Sequence, residues 1–164
     1  MAVTTLVAKD VNNSRLARCY VTIDGQKWLL MEGKSLEAKV EYDKQEIGIL
    51  GKTAKGHKAT SWNGSGNMTI YLVTSKFTEL MKQFKDDLTE IYFTIQVINE
   101  DPTSDSGRQD VTLKQCSIDG GIIAAFDVDG DWLEQDIDFT FEDFTIAESF
   151  NVLDGMVSSN GNLG

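Results

Sequence analysis

The chain has 164 residues, 41% of them hydrophobic and 25% charged, which is one domain's worth of core and surface. It contains no 18-residue apolar run that could cross a bilayer as a helix. Its formal net charge of −11 opposes contact with phosphate backbones, so tight nucleic-acid binding is not expected.

Residues 1–18 show little periodicity and read as a flexible N-terminal arm. They lack a basic start followed by an apolar stretch, so they do not read as a secretory signal, and synthesis in the cytosol is expected. The segments CYVTID (19–24) and WLLM (28–31) flank Asp24-Gly25, a tight-turn pair, and predict a β-hairpin. SLEAKVEYD (35–43) alternates strictly. Leu36, Ala38, Val40 and Tyr42 share one face, and Glu37, Lys39 and Glu41 share the other, as in a half-buried strand.

Residues 43–60 lose this alternation. Glycines at 48, 51 and 56, with Lys52, Lys55 and Lys58, predict a long basic loop, a length usually reserved for function or disorder. GNMTIYLV (66–73) resumes the strand pattern. In TSKFTELMKQFKDD (74–87), Phe77, Leu80, Met81 and Phe84 recur at helical spacing, which predicts one helix over about 75–86. Ser75 or Thr74 is placed to cap it, and three turns suffice to cover one sheet. Further strands are expected in IYFTIQVIN (91–99), VTLKQCSID (111–119), IIAAFDV (122–128) and EQDIDFTFEDF (134–144). The Gly/Ser/Asn-rich residues 151–164 read as a poorly ordered tail. Seven or so strands and one helix give a mainly β single domain over 1–164, a β-sandwich or partial barrel with one packed helix.

Candidate chemistry is sparse. GKTAKGHKATSWNGSG (51–66) nearly spells a phosphate-binding loop, but His57 follows Gly56, Lys58 comes one place late, and a strand pattern follows instead of a helix. Asp127, Asp129 and Asp131 open like a calcium loop, yet Trp132 stands where the turn needs glycine and Asp138 where a bidentate glutamate belongs. A strand-to-strand turn with solvated acids is the plainer reading, with a calcium-dependent β-sandwich binding module as the alternative. His57 is the sole histidine, and the only cysteines, Cys19 and Cys116, read as reduced buried thiols, so no metal cluster can be assembled from them. No cofactor is expected. No serine sits in a nucleophile-elbow sequence, and no pair of carboxylates stands out as acid and base. The chain does not read as an enzyme. Trp28, Trp62 and Trp132 read as core or interface residues, and the polar setting of Trp62 favours an intersubunit contact. A β-protein must dispose of its sheet edges, and joining them between copies is one way to do so.

The segment 51–77 resembles the tail tube proteins of contractile-tailed phages and of phage-like particles of the tailocin and defective-prophage type. The resemblance rests on Gly51-Lys52, Gly56-His57-Lys58, Asn63-Gly64, Gly66, Tyr71, Val73-Thr74-Ser75 and Phe77. A second block, FDVDGDWLEQDIDFTFEDF (126–144), is similar to the family's closing strand region, and order and spacing agree over 19–148. Lys52 stands where arginine is usual, and the tail after Phe150 is longer. The resemblance implies a subunit whose sheet is completed into a hexameric ring barrel, with rings stacked into a hollow tube inside a contractile sheath. It implies that the 43–60 loop reaches neighbouring subunits, its glycines supplying backbone freedom. Gly51, Lys52, Lys55, Gly56, His57, Lys58, Trp62 and Asn63 would then be interface residues, with the lysines meeting acids of the neighbour. A lumen lined by Glu37, Lys39, Glu41, Asp136 and Asp138 would keep DNA from sticking, and the helix would pack on the sheet's outer side. The implied partners are the chain itself, the tail sheath protein, baseplate and tail terminator proteins, and a tape measure protein or DNA in the lumen. Assembly is expected in the bacterial cytoplasm. A genome-free bacteriocin and a type VI secretion-like ring protein are further alternatives.

Overall fold

The alternating segments fold as eight strands and one α-helix, and a computed structural model describes residues 5–156. In chain order the strands are β1 (Ala17–Ile23), β2 (Gln26–Leu29), β3 (Gly33–Ile47), β4 (Gly56–Tyr71), β5 (Phe93–Glu100), β6 (Arg108–Gly121), β7 (Glu134–Phe141) and β8 (Asp143–Glu148); helix α1 (Lys76–Asp87) lies between β4 and β5. The sheet order is β2-β1-β5-β6-β7-β4-β3, with β8 continuing along β6 beyond β7. All pairings are antiparallel. The expected mainly β architecture with one packed helix is therefore present.

The β1–β2 hairpin turns at Asp24 and Gly25, both with positive φ (52° and 77°), the primed turn that suits the twist of paired strands. Strand β6 is the spine. One extra residue in it opposite β5, with Gln115 at φ 54°, makes a bulge that bends the sheet. Before the bulge β6 pairs with β5 and β8; after it, Ser117–Gly121 pair with β7. The bend lets residues from β1, β4, β5, β6 and β7 share one core with α1. Val21, Met68, Ile70, Ile95, Ile137 and Phe139 are its best-buried apolar side chains. Cys116 lies in this core and Cys19 at its margin, both free thiols; burial pushes them up to about 12 and about 11.

Helix α1 starts where the sequence places it. Ser75 occupies the N-cap position without a side-chain hydrogen bond, and Leu88 ends the helix in the left-handed region. Phe77 and Leu80 enter the core, Phe77 edge-on to Phe93 at 6.3 Å, whereas Phe84 remains half exposed. Gln135, on the apolar face of β7, donates to Thr78 Oγ1 at 3.0 Å and to the Ile122 carbonyl at 2.6 Å. The helix thus covers the face of β7 opposite Asp136 and Asp138.

Three expectations need correction. Residues 43–60 are not a long loop: β3 continues to Ile47 and β4 begins at Gly56, leaving only 48–55 between them. Polar residues on both faces hid the strands, because this hairpin has no core beneath it to impose alternation. IIAAFDV (122–128) is not a strand but the start of an irregular connection to β7. EQDIDFTFEDF is two strands broken at Glu142. In addition, Ala8–Asp10 form a 3-10 turn within the arm, and Asp10, Asn12 and Asn13 are fastened to the body as described below. The first four residues of the arm and the last eight of the tail lie outside the described residues.

The glycines of β4 have a task other than freedom. A Cβ on Gly66 would lie 2.4 Å from the Phe139 ring and 2.6 Å from the Glu37 carbonyl oxygen; one on Gly64 would lie 2.4 Å from the Phe141 ring. Both rings lie flat across the β4 backbone only because nothing projects there. Gly66→Ala is expected to destabilise the unassembled chain by about 3 kcal/mol through overpacking. Gly48→Ala, where an added Cβ meets nothing within 4 Å, should leave it unchanged. Urea unfolding of both variants checks this.

Candidate assembly surfaces

Strand register decides which side chains share a face. Glu37 pairs with Asn67, which pairs with Asp138; Lys39 pairs with Ser65, which pairs with Thr140; Glu41 pairs with Asn63. Asp136 pairs with Thr69. Paired residues project to the same side of an antiparallel sheet, so Glu37, Lys39, Glu41, Asp136 and Asp138 share one face, and all five are exposed. Asn67 Nδ2 donates to Asp138 Oδ1 at 2.7 Å, Thr69 Oγ1 donates to Asp136 Oδ1 at 2.6 Å, and Lys39 Nζ lies 3.1 Å from Glu41. The face is solvated and acidic, and polar pairs join β4 to β7 across it. Met68, Ile70, Ile137 and Phe139 occupy the other side.

The same sheet has two open edges. Among the described residues, strand β3 has no partner on the side away from β4, and no strand pairs with Ser117–Gly121 of β6 on the side away from β7. The pairing of β6 with β5 ends at Cys116, opposite Phe93.

Beyond Gly64, where β4 leaves β7, the β3–β4 hairpin continues unsupported. From Glu41 to the tip it extends about 23 Å at the usual rise per residue. Every residue from Glu41 to Asn63 except Gly56 is exposed. Its base is braced at a bulge by Asp43, which accepts Ser61 Oγ at 2.8 Å and Asn63 Nδ2 at 3.3 Å. Gly56, His57 and Lys58 lie on strand β4 rather than in a loop, and Gly51, at φ 84°, turns the tip with Lys52 and Lys55. Lys55 Nζ and His57 Nε2 each lie 3.6 Å from Glu46 across the hairpin. Trp62 is held by its own chain, 6.2 Å from the Phe141 ring and edge-on to Phe144 at 5.8 Å.

The calcium alternative finds no geometry. Asp127 Oδ1 accepts the Asp129 amide at 3.0 Å, closing a turn, and among the described residues no three His, Cys, Asp or Glu side chains converge as an ion site. The near phosphate loop is a hairpin tip with no helix behind it. No helix among the described residues is long and apolar enough to cross a membrane.

The arm, read from sequence as loose, has a polar anchorage that its lack of periodicity concealed. Asp101 accepts the amides of Asn13 and Thr103 at 2.9 and 3.0 Å and Thr103 Oγ1 at 2.7 Å. Asp10 accepts the Asp105 amide at 3.0 Å, and Ser106 Oγ donates to Asn12 Oδ1 at 2.9 Å.

A protruding hairpin, two open edges and an acidic face are the features that set this sheet apart, and comparison with known proteins identifies the family. The family described as phage tail tube protein matches residues 4–148. The chain belongs to that family. It is a structural family, not an enzymatic one, and this subunit is a component of a phage tail or phage-like particle. The phage-like element PBSX protein XkdM of Bacillus subtilis (strain 168) is 40% identical over 129 residues, 79% of this chain and 86% of XkdM. The fold is similar to that of a chain in the anti-feeding prophage baseplate, solved with 6-fold symmetry (TM-score 0.59, 10% identity, 96% of this chain and 100% of the other). It is also similar to a chain in the sheath-tube complex of the extracellular contractile injection system PVC in its extended state (TM-score 0.60, 11% identity, 80% and 88%).

Three hydrogen bonds hold the Asp101 carboxyl below its ordinary value of 3.8, the Thr103 side-chain hydroxyl foremost, then the Thr103 and Asn13 amides. A depressed folded-state value means that the anchorage is at full strength above the ordinary carboxylate range and fades as pH falls through it. Hydrogen-exchange protection of the Asn13 and Thr103 amides is expected to drop on acidification below about pH 4, the ordinary carboxylate range. Asp101→Asn should remove that dependence.

Proposed function

We propose that six copies of the chain join their four-stranded sheets, β3 of one copy beside the Ser117–Gly121 edge of the next, into a closed ring, and that rings stack into the inner tube of a contractile particle. The observation that carries this reading is the four-stranded sheet β6-β7-β4-β3, open at both edges and acidic on one whole face. Pairing those edges around an axis satisfies their backbone N–H and C=O groups without leaving a sticky end. The acidic face then lines the lumen with Glu37, Lys39, Glu41, Asp136 and Asp138, and α1 lies on the outer side toward the sheath. The chain's own copies, the tail sheath protein, and baseplate and tail terminator proteins are the partners this places around it. Assembly takes place in the bacterial cytoplasm.

A lumen with four acids and one lysine per subunit repels a passing polyanion, and at physiological salt that repulsion acts over about 8 Å. A tape measure protein, DNA or ions would pass without adhering. The hairpin, with Gly51, Lys52, Lys55, Gly56, His57 and Lys58 and its base residues Trp62 and Asn63, reaches a neighbouring copy in the assembled tube, which contraction of the sheath drives outward.

Electron microscopy of the purified chain is expected to show rings and hollow tubes. A density map of the lumen should show the carboxylates; Leu36 or Phe139 lining the channel contradicts the assignment of faces. Tubes of Glu37→Lys/Asp138→Lys should retain short duplex DNA on sedimentation, whereas wild-type tubes should leave it in solution. A chain that remains monomeric at high concentration refutes the tube itself.

A further inference from the structure

The connection between β6 and β7, residues 122–133, carries several strongly exposed apolar side chains. Phe126, Val128 and Trp132 are 90%, 91% and 72% exposed, and Ile123 stands beside them. Scattered apolar side chains are ordinary on a protein surface, but several on twelve consecutive residues form a patch that expects a cover. Asp127, Asp129 and Asp131 interleave with them. Among the described residues none of these three carboxylates forms an ion pair.

The hairpin tip has the complementary character. Ile47, Ile49 and Leu50 are exposed, Leu50 completely, and Lys52, Lys55 and Lys58 follow within eight residues. Lys52 and Lys58 have no acidic partner among the described residues.

The two features cannot meet within one chain. Strand β4 pairs with β7 from Gly64 opposite Phe141 to Tyr71 opposite Glu134. The hairpin leaves the sheet at the Gly64–Phe141 end. The 122–133 segment enters β7 at the Glu134 end, where Leu72 donates its amide to the Leu133 carbonyl at 2.9 Å. Donor and acceptor therefore sit at opposite ends of the same strands. A contact between unlike surfaces at opposite ends is heterologous, and repeated along the strand direction it does not close but propagates.

The geometry points to the 122–133 segment as the docking site for the hairpin tip of another copy of this chain, in the next ring of the stack. The apolar tip covers Phe126, Val128 and Trp132, and the hairpin lysines meet Asp127, Asp129 and Asp131. This rests on the tube reading and adds to it the acceptor surface. A patch that is apolar and acidic at once selects a partner that is apolar and basic at once, and the hairpin is the part of this chain that answers that description. It also explains why the chain keeps the patch: the surface is covered when rings stack.

Cysteine cross-linking tests the assignment. Leu50→Cys and Val128→Cys, both at exposed positions where folding is indifferent, are combined in a Cys19→Ser background and assembled, then oxidised. A ladder of linked chains is expected on a non-reducing gel, with none from either single variant. A control pairing Leu50→Cys with Leu88→Cys, an exposed residue after α1 and near the Thr140 end of β7, away from the patch, should give no ladder. Intact tubes of the first pair without a ladder, or an equal ladder from the control, overturn the proposed acceptor and leave the tube standing. Absence of tubes from the wild-type chain overturns the tube reading and this contact with it.

Discussion

Two phenylalanine rings lying on two glycines fix the geometry of the acidic face and of the free hairpin. Phe139 over Gly66 and Phe141 over Gly64 clamp β4 to β7 in one register, because a shift by one residue would bring side chains under the rings. That register sets every alternation downstream of it. It sends Met68, Ile70 and Ile137 to the core and Asn67, Thr69, Asp136 and Asp138 to solvent, and through the β3–β4 pairing it adds Glu37, Lys39 and Glu41 to the same polar face. It also fixes where β4 parts from β7, and so where the hairpin begins to stand free.

A second constraint bends the sheet. The bulge at Gln115 turns β6 so that one part serves a sheet closed over the core and the other a sheet left open. A flat sheet of eight strands would bury neither face well. The bent one seals a core between β1 and β5 on one side of β6 and β4 and β7 on the other, and among the described residues still leaves β3 and the Ser117–Gly121 edge unpaired. Stability and stickiness are thus assigned to different parts of one strand. Helix α1 belongs to the stable part: through Phe77, Leu80 and the Gln135–Thr78 hydrogen bond it covers the apolar face and leaves the acidic face bare.

The arm shows the same division in polar terms. It is held by Asp10, Asn12, Asn13 and Asp101 and not by apolar burial, which leaves Leu6, Val7 and Val11 on the surface. Such an anchorage is specific in geometry and modest in energy, since each hydrogen bond replaces one made to water.

The amino-acid sequence determined what local chemistry can dictate. The period-two pattern of 134–141, the Asp24-Gly25 turn, the helical spacing of Phe77, Leu80 and Phe84, and the grouping of Glu37, Lys39 and Glu41 on one face were all legible, because each depends on neighbours a few residues apart. The resemblance of 51–77 and 126–144 to tail tube proteins was legible for the same reason. Tertiary structure decided the rest. That 43–47 and 56–60 are strands could not be read, since a hairpin with solvent on both faces carries no alternation. That Gly64 and Gly66 serve ring packing depended on Phe139 and Phe141, some seventy residues away in sequence. That the hairpin and the 122–133 segment occupy opposite ends of one sheet followed from strand order, which only long-range pairing creates.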